Sequence, residues 1–500
     1  MMETSVFSIA PIALALAVSV YSRNVIVGLF TGAALGAVLV AQAAPGAVMH
    51  VLITDYFVGQ VTDSYNAGVL VLLVFIGGFV HLMETSGGGP AFARSVARYA
   101  SSRAKGQLAA WAGGVALFFS DIGTPLIVGP VFRPLFDRLR LSREKLAFII
   151  DSTASPVAIL VPFVGWAVYV MSLIEKELGV FSQQRSALDL FMSAIPFQAY
   201  AILAVLIVPW TIALRLDIGA MRGAEAAARE GRHTDETSRT AVDTRSVSSP
   251  DQASPSLVLI PLLVLFVTLL TRLVSHGFPF EPIAGTVFRS ALSTAYFFAA
   301  VILMGLMAAT GLRSLADGVG IYLRGMGGIM QILLILVLAW SLGAVSKDLG
   351  APVYVAGLIG DAVQPVLLPL AVFLLCACIS FATGSSWGTF ALAFPLMLPA
   401  AVQVGAEMTL VVAAILSGGL WGDHCSPISD STILSSSGAG CDQYEHFRTQ
   451  LPYALFNGAL ASLFCFSAAY YPEPLLIVGF VAVQVTLLAV VARRFGAAKG

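Results

Sequence analysis

Charge is scarce in this sequence. Asp, Glu, Lys and Arg make up 11% of its 500 residues, against about a quarter in average soluble domains. Cysteine is rare as well: five residues, an odd number scattered in or near apolar segments, which excludes a disulfide framework. No basic n-region precedes the first apolar run, because the chain opens MMETSVF. That run is therefore read as a retained helix, not as a secretory signal. No basic patch interleaved with aromatics is present and the net charge is −1, so nucleic acid is not an expected partner. No nucleophile elbow or cofactor fingerprint accompanies the Asp, His and Ser residues below, so neither catalytic residues nor a cofactor are expected.

Long apolar runs are what the sequence has instead. Hydrophobic residues reach 58%, and the mean hydropathy is +0.88. Nearly charge-free stretches at 7–20, 25–43, 69–80, 257–270 and 475–491 approach the length that crosses about 30 Å of hydrocarbon. A soluble protein could bury one or two such helices, but not all of them. The expected class is an all-α polytopic membrane protein. Spans are expected near 6–20, 25–43, 68–84, 146–173, 190–214, 254–271, 286–309, 326–345, 408–434, 451–470 and 475–491, eleven in all.

The two halves carry matching landmarks. Gly123-Thr124 has Pro130 and Pro134 downstream, and Gly388-Thr389 has Pro395 and Pro399 at the same intervals. The polar interruptions at 83–88 and 346–351 precede these pairs, and Asp151 to Pro156 and Asp423 to Pro427 follow them. Basic residues flank the apolar segment 106–132 on both sides (Arg94, Arg98, Arg103 and Lys105 before it, Arg133, Arg138, Arg140, Arg143 and Lys145 after it). By the positive-inside rule both flanks are cytoplasmic, which makes the segment a re-entrant hairpin. An odd number of crossings per half then inverts the second repeat. The expected organisation is a first membrane repeat at 1–215 (hairpin about 106–136), a polar cytoplasmic linker at 216–252, an inverted repeat at 253–472 (hairpin about 371–399) and a further helix at 473–500. The amino terminus is expected outside and the carboxyl terminus inside. The linker reads as flexible, with a regulatory docking segment as the alternative. Inverted repeats with interrupted elements are an architecture of secondary transporters.

The interruptions hold the candidate site. Asp151, Ser152, Thr153 and Ser155 precede Pro156, which disfavours a regular helix and frees carbonyl oxygens. Carboxylates inside a membrane are costly unless paired or protonated, so they are functional candidates. In the second half Asp423, His424 and Ser426 precede Pro427, and Asp430-Ser431-Thr432 echoes Asp151-Ser152-Thr153. Asp151, Asp423 and Asp430 are the candidate Na+ ligands and proton carriers, and His424 could share or gate the proton. The bland alternatives are a capping carboxylate and a hydrogen-bonded structural His. Adjacent Asp-His-Cys cannot close one tetrahedral site, so zinc is not expected. The hairpin tips add Asp121 and Thr124 in one half and Thr383, Ser385, Ser386 and Thr389 in the other. Trp387 reads as packing. Glu84 is left open, Lys347 reads as interfacial charge, and Arg289 could snorkel. Asp442, Glu445, His446 and Arg448 read as a local ion-pair network.

The runs REKLAFIIDSTASPVA, TGSSWGTF, GDHCSPISDSTILSS and RTQLPYAL resemble the NhaC-type Na+/H+ antiporter family of the ion transporter superfamily. The likeness covers most of both membrane halves and omits the polar linker. It implies paired hairpins and broken helices around a central site, a homodimer, and a bacterial or archaeal cytoplasmic membrane as the location. It also implies a Na+-coupled exchanger, Na+ against H+ by alternating access. The alternative is Na+-coupled movement of a small organic anion of the malate/lactate type, or of an amino acid. Na+, H+ and membrane lipid are the expected partners. A channel fits less well, because no short repeated filter is present.

Overall fold

The computed structural model describes residues 6–41, 45–98, 100–178, 185–231, 253–278, 283–362 and 364–495, and among these no strand occurs. The chain opens with a helical pair, α1 (Ala10–Ser22) and α2 (Val25–Val40), the second begun by Asn24, whose side chain accepts from the Ile26 and Val27 amides. α3 (Pro45–His50) and α4 (Gly59–Thr62) flank a π-helical stretch, Val51–Val58.

The first half continues with α5 (Ser64–Thr85) and α6 (Gly88–Ala97). A helix–tip–helix pair follows, α7 (Arg103–Ala116) and α8 (Gly123–Arg138). Next comes an interrupted helix, α9 (Arg143–Asp151), α10 (Ser155–Ala158) and α11 (Gly165–Leu178). α12 (Ala187–Ala194) and α13 (Ala199–Ala213) close the half, bent by 45° where the chain passes Gln198. α14 (Ala220–Arg229) follows.

In the second half α15 (Ser256–Val274) and α16 (Gly285–Ala309) lead into α17 (Leu315–Gly328) and α18 (Met330–Asp348). The short α19 (Ala351–Ala362) comes before a second helix–tip–helix pair, α20 (Leu368–Thr383) and α21 (Ser386–Gln403). A second interrupted helix, α22 (Met408–His424) and α23 (Asp430–Ala439), precedes the long α24 (Gln443–Tyr470) and the final α25 (Leu476–Phe495). Long helix, short helix, helical pair, broken helix and closing helix thus occur in the same order in each half.

Among the described residues, seven helices are long and apolar enough to cross a membrane, or eight if the bent pair α12–α13 is one span. The expected eleven differ for a physical reason. The stretches at 6–20 and 25–43 form short helices, Val6–Ser22 and Val25–Val40. Those at 146–173 and 408–434 are cut by polar breaks, so neither is one continuous helix. Conversely Pro365–Thr383, expected as a hairpin arm, passes the length test.

The expected linker begins differently. Residues 232–252 lie outside the described residues, but α14 packs Met221, Glu225 and Ala228 inward. These positions are a helical i, i+4, i+7 stripe. The charge on Glu225 hid the period in the sequence. Its carboxylate is buried because it is paired: it accepts from the Ser142 amide and the Ser142 hydroxyl, both at 2.8 Å, and bridges to Arg103. Beside it Lys145 pairs with Asp217 at 2.6 Å, and the Ile218 amide donates to the Tyr453 hydroxyl at 2.8 Å. The segment therefore ties the start of α9 to α24.

Other charges also find partners. Lys347 bridges to Glu177 at 2.9 Å and donates to the Lys176 carbonyl at 3.0 Å. It is a half-buried partner of a buried carboxylate and not merely interfacial. The Arg289 guanidinium lies over the Tyr65 ring, 4.3 Å from its centroid.

Candidate functional site

Asp151 is the last residue of α9 and is fully buried. Ser152 to Ala154 cannot carry the helix on, since Pro156 lacks an amide proton and clashes with a preceding turn. The chain re-forms only the single turn of α10 before Gly165 opens α11. The second break follows His424, where Pro427 has the same effect. α23 restarts with Ser429 as N-cap, its hydroxyl accepting from the Ser431 amide at 3.1 Å.

The partners of Asp151 come from the other half. The Gln450 side-chain amide donates to it at 2.5 Å, the Ser435 hydroxyl donates at 3.3 Å, and the His446 and His424 Nε2 atoms stand 3.5 and 3.9 Å away. Gln450 also donates to the His424 carbonyl at 3.2 Å, and the Tyr200 hydroxyl lies 3.3 Å from His424 Nδ1. One carboxylate of the first half is thereby held by α22, α23 and α24.

Asp423 has a shell of hydroxyls. Ser429 donates to it at 2.8 Å and Ser431 at 3.3 Å, while the buried Ser386 at the tip of the second helical pair donates to the Gly419 carbonyl of the same helix α22 at 3.3 Å. The tip is fastened to the break: the Ser426 hydroxyl donates to the Phe381 carbonyl at 2.9 Å. Gly384, at φ 65°, has no room for a side chain, because a Cβ would sit 2.8 Å from the Ile428 carbonyl oxygen.

The remaining candidates scatter. Ser152 and Ser155 are buried within the first break. The hydroxyls of Thr153, Thr124, Thr383 and Thr389 each donate to a carbonyl four residues back, at 2.8 to 2.9 Å, so their protons are spent on the local backbone. Thr432 donates to the Ser426 carbonyl, and Ser385 caps α21 through the Gly388 amide. Asp430 starts α23 and is exposed, apart from the Asp151 cluster. Asp121 accepts from the Trp166 indole at 2.9 Å, and nearby Ser120 donates to Glu84 at 2.7 Å, forming a separate polar group at the first tip. Trp387 packs on Trp166 and Tyr169, with ring centroids 4.7 and 4.6 Å away.

His446 departs from its expected role. Glu445 and Arg448 do pair, at 3.1 Å, and Asp442 caps α24. His446 instead turns inward, fully buried, to face Asp151. Gln450, Ser435 and Tyr200 were likewise missed. A signal existed: His446, Gln450, Tyr453 and Asn457 repeat at i, i+4, i+7, i+11, and all four are buried, a polar stripe on the inner face of an otherwise apolar helix.

With this geometry in view, the model of the Na+/H+ antiporter family matches residues 157–468. The chain belongs to that family. It is accordingly a multi-pass membrane protein and a secondary transporter of the antiporter type, not an enzyme. An uncharacterised protein of Haemophilus influenzae is 28% identical over 511 aligned residues, covering 98% of this chain and 95% of its own. The malate-2H(+)/Na(+)-lactate antiporter of Bacillus subtilis is 42% identical over 89 residues, 18% of this chain and 19% of that one. Among solved structures, Neisseria gonorrhoeae MtrF, described with a class of antimetabolite efflux pumps, superposes with a TM-score of 0.58 at 15% identity, covering 92% of this chain and 94% of its own. At that identity the likeness speaks for the fold alone.

Proposed function

We propose that the protein exchanges Na+ for H+ across a cytoplasmic membrane, coupling the two through the buried carboxylates of its two broken helices. The observation that carries this reading is the pair Asp151 and Asp423, each buried at a helix break and each held by neutral or titratable groups. A carboxylate so placed is expensive to keep charged without a cation or a proton. Taking up the cation and the proton in turn, on one carboxylate or on two, is the requirement of a cation/proton antiporter, and inverted halves would let the site open to each side in turn.

A second reading is favoured by the stretch shared with the malate-2H(+)/Na(+)-lactate antiporter. In it the same groups bind Na+ while an organic anion moves as well. The partners described around Asp151 and Asp423 include no lysine or arginine, so no side-chain cation stands ready for a carboxylate substrate. That tilts the reading to inorganic ions. Purified protein in liposomes with an internal pH dye separates the two. Na+ added outside, with the voltage clamped by K+ and valinomycin, is expected to evoke proton efflux without organic solute. A response that requires malate, lactate or an amino acid would overturn plain Na+/H+ exchange in favour of the second reading.

A further inference from the structure

The two buried carboxylates are dressed for different ligands. Asp151 faces an amide NH2 at 2.5 Å and two imidazole nitrogens at 3.5 and 3.9 Å, with one hydroxyl at 3.3 Å. Asp423 faces the hydroxyls of Ser429 and Ser431 at 2.8 and 3.3 Å. A hydroxyl that donates to a carboxylate keeps lone pairs for a cation, whereas an amide NH2 keeps none. Hard cations take oxygen ligands. Asp423 is faced by hydroxyl oxygens only, whereas beside Asp151 the Ser435 hydroxyl and the unpartnered Gln450 amide oxygen share the space with two imidazole nitrogens, so the Asp423 surroundings suit Na+ better.

His446 adds an independent observation. It is fully buried, yet neither ring nitrogen has a hydrogen-bond partner, a situation rare enough in folded proteins to need a cause. It lies in the first turns of α24, about 4.5 Å along the axis from Gln443 at 1.5 Å per residue. The exposed Asp442, Tyr444 and Arg448 surround that end of the helix. His446 is thus about one turn in from an exposed helix terminus, with its buried ring against Asp151.

We propose that the two exchanged ions have separate seats, the cation at Asp423 with Ser429 and Ser431, and the proton at Asp151 with His446 as its relay from the exposed terminus of α24. The assignment rests on the antiport reading above. In the transfer, His446 as imidazolium releases the Nε2 proton to an Asp151 oxygen. A neutral imidazole protonated on Nδ1 and a carboxylic acid result, and the relay is reset when the ring turns its bare Nε2 towards the α24 terminus and takes a proton there from hydronium, leaving water. The other titratable groups facing this pair are His424 and Asp423 of α22 and Tyr200 of α13. Asp442, Glu445 and Arg448 lie on α24 itself. Occupation of one seat affects the other through the charge of Asp151 on Asp423 and through the single helix that carries both Asp423 and His424.

The test uses the full chain in liposomes and two assays: exchange of radiolabelled Na+ for Na+ at symmetric pH, and Na+-evoked proton flux. His446→Gln and Asp151→Asn are expected to lower the ratio of proton flux to Na+ self-exchange at least about tenfold, the size of a lost proton-transfer group. The double variant Ser429→Ala with Ser431→Ala is expected to raise the Na+ concentration giving half-maximal rate about tenfold in both assays, while the ratio holds. His446→Asn is the second substitution should His446→Gln not elute as folded protein. A wild-type ratio in both His446 variants from mildly acidic to mildly alkaline pH overturns the relay. Self-exchange lost in Asp151→Asn as completely as in Asp423→Asn overturns the separate seats. Wild-type protein inactive in both assays overturns the antiport reading, and this assignment with it.

Discussion

A single methyl group placed where α8 crosses α23 tests whether the two halves meet as described. A Cβ added to Gly438 would lie 2.3 Å from the Pro125 carbonyl oxygen, and one added to Gly129 would lie 2.3 Å from the Gly438 carbonyl carbon. Ordinary contact begins near 3.4 Å, so in Gly438→Ala the helices must part by about 1 Å, at a cost of about 1–3 kcal/mol in overpacking. Ser435 sits one turn earlier on α23, and its hydroxyl is 3.3 Å from Asp151. A shift of that size breaks the contact, and a hydrogen bond to a charged group is worth about 1.5–3 kcal/mol, or about tenfold or more in rate. Gly438→Ala is therefore expected to lower both the thermal stability of detergent-solubilised protein and the exchange rate by at least about tenfold. The control is Gly305→Ala, on the exposed side of α16 with no atom within 4 Å of the added Cβ, which leaves both intact or gains slightly from helix propensity. Wild-type stability and rate in Gly438→Ala would refute the close crossing of the two helices.

Three further substitutions probe the frame around the site. Glu225→Gln weakens the bond to Arg103 and Ser142 that fastens α14 to the start of α9. With Arg103 a third exposed, about 1–3 kcal/mol of stability is expected to go; a thermal-shift cycle with Arg103→Met that shows no coupling would refute the clasp. Lys347→Met leaves Glu177 buried without its partner, which costs about 3–5 kcal/mol and shows as poor yield or early melting, partly restored by the added change Glu177→Gln. Gln484→Leu removes the amide that donates to the Leu203 carbonyl at 2.9 Å and to Asn457 at 2.8 Å. About 1 kcal/mol is expected to be lost, read as faster proteolysis near α25 with exchange largely retained; unaltered proteolysis would refute its docking role.

The sequence made the breaks legible because polar residues followed by proline are costly within apolar runs, so Asp151 and Asp423 stood out at once. It could not say which face of a helix each polar residue takes. Asp430 repeats the Asp-Ser-Thr of the first break, yet as the first residue of α23 it turns out to be exposed, while Ser429 and Ser431 beside it turn to Asp423. His446 was masked by charged neighbours on the opposite face of the same turn, and only the spacing to Gln450 and Asn457 reveals the inner stripe. Glu225 hid α14 for a related reason: a buried charge looks like a solvated one until its partners, far away in sequence, are known. Helix existence was thus local information, whereas the pairing of α9 with α24 is tertiary and left no local trace.

Uphill movement is the most direct test of coupled exchange. Liposomes containing the protein, with internal and external Na+ equal and the voltage clamped, receive an inside-acidic pH step, and radiolabelled Na+ uptake is followed. Transient accumulation above the external concentration is expected, abolished in Asp423→Asn and in Asp151→Asn. Na+ that merely equilibrates whatever the pH step, in active and folded protein, would contradict it.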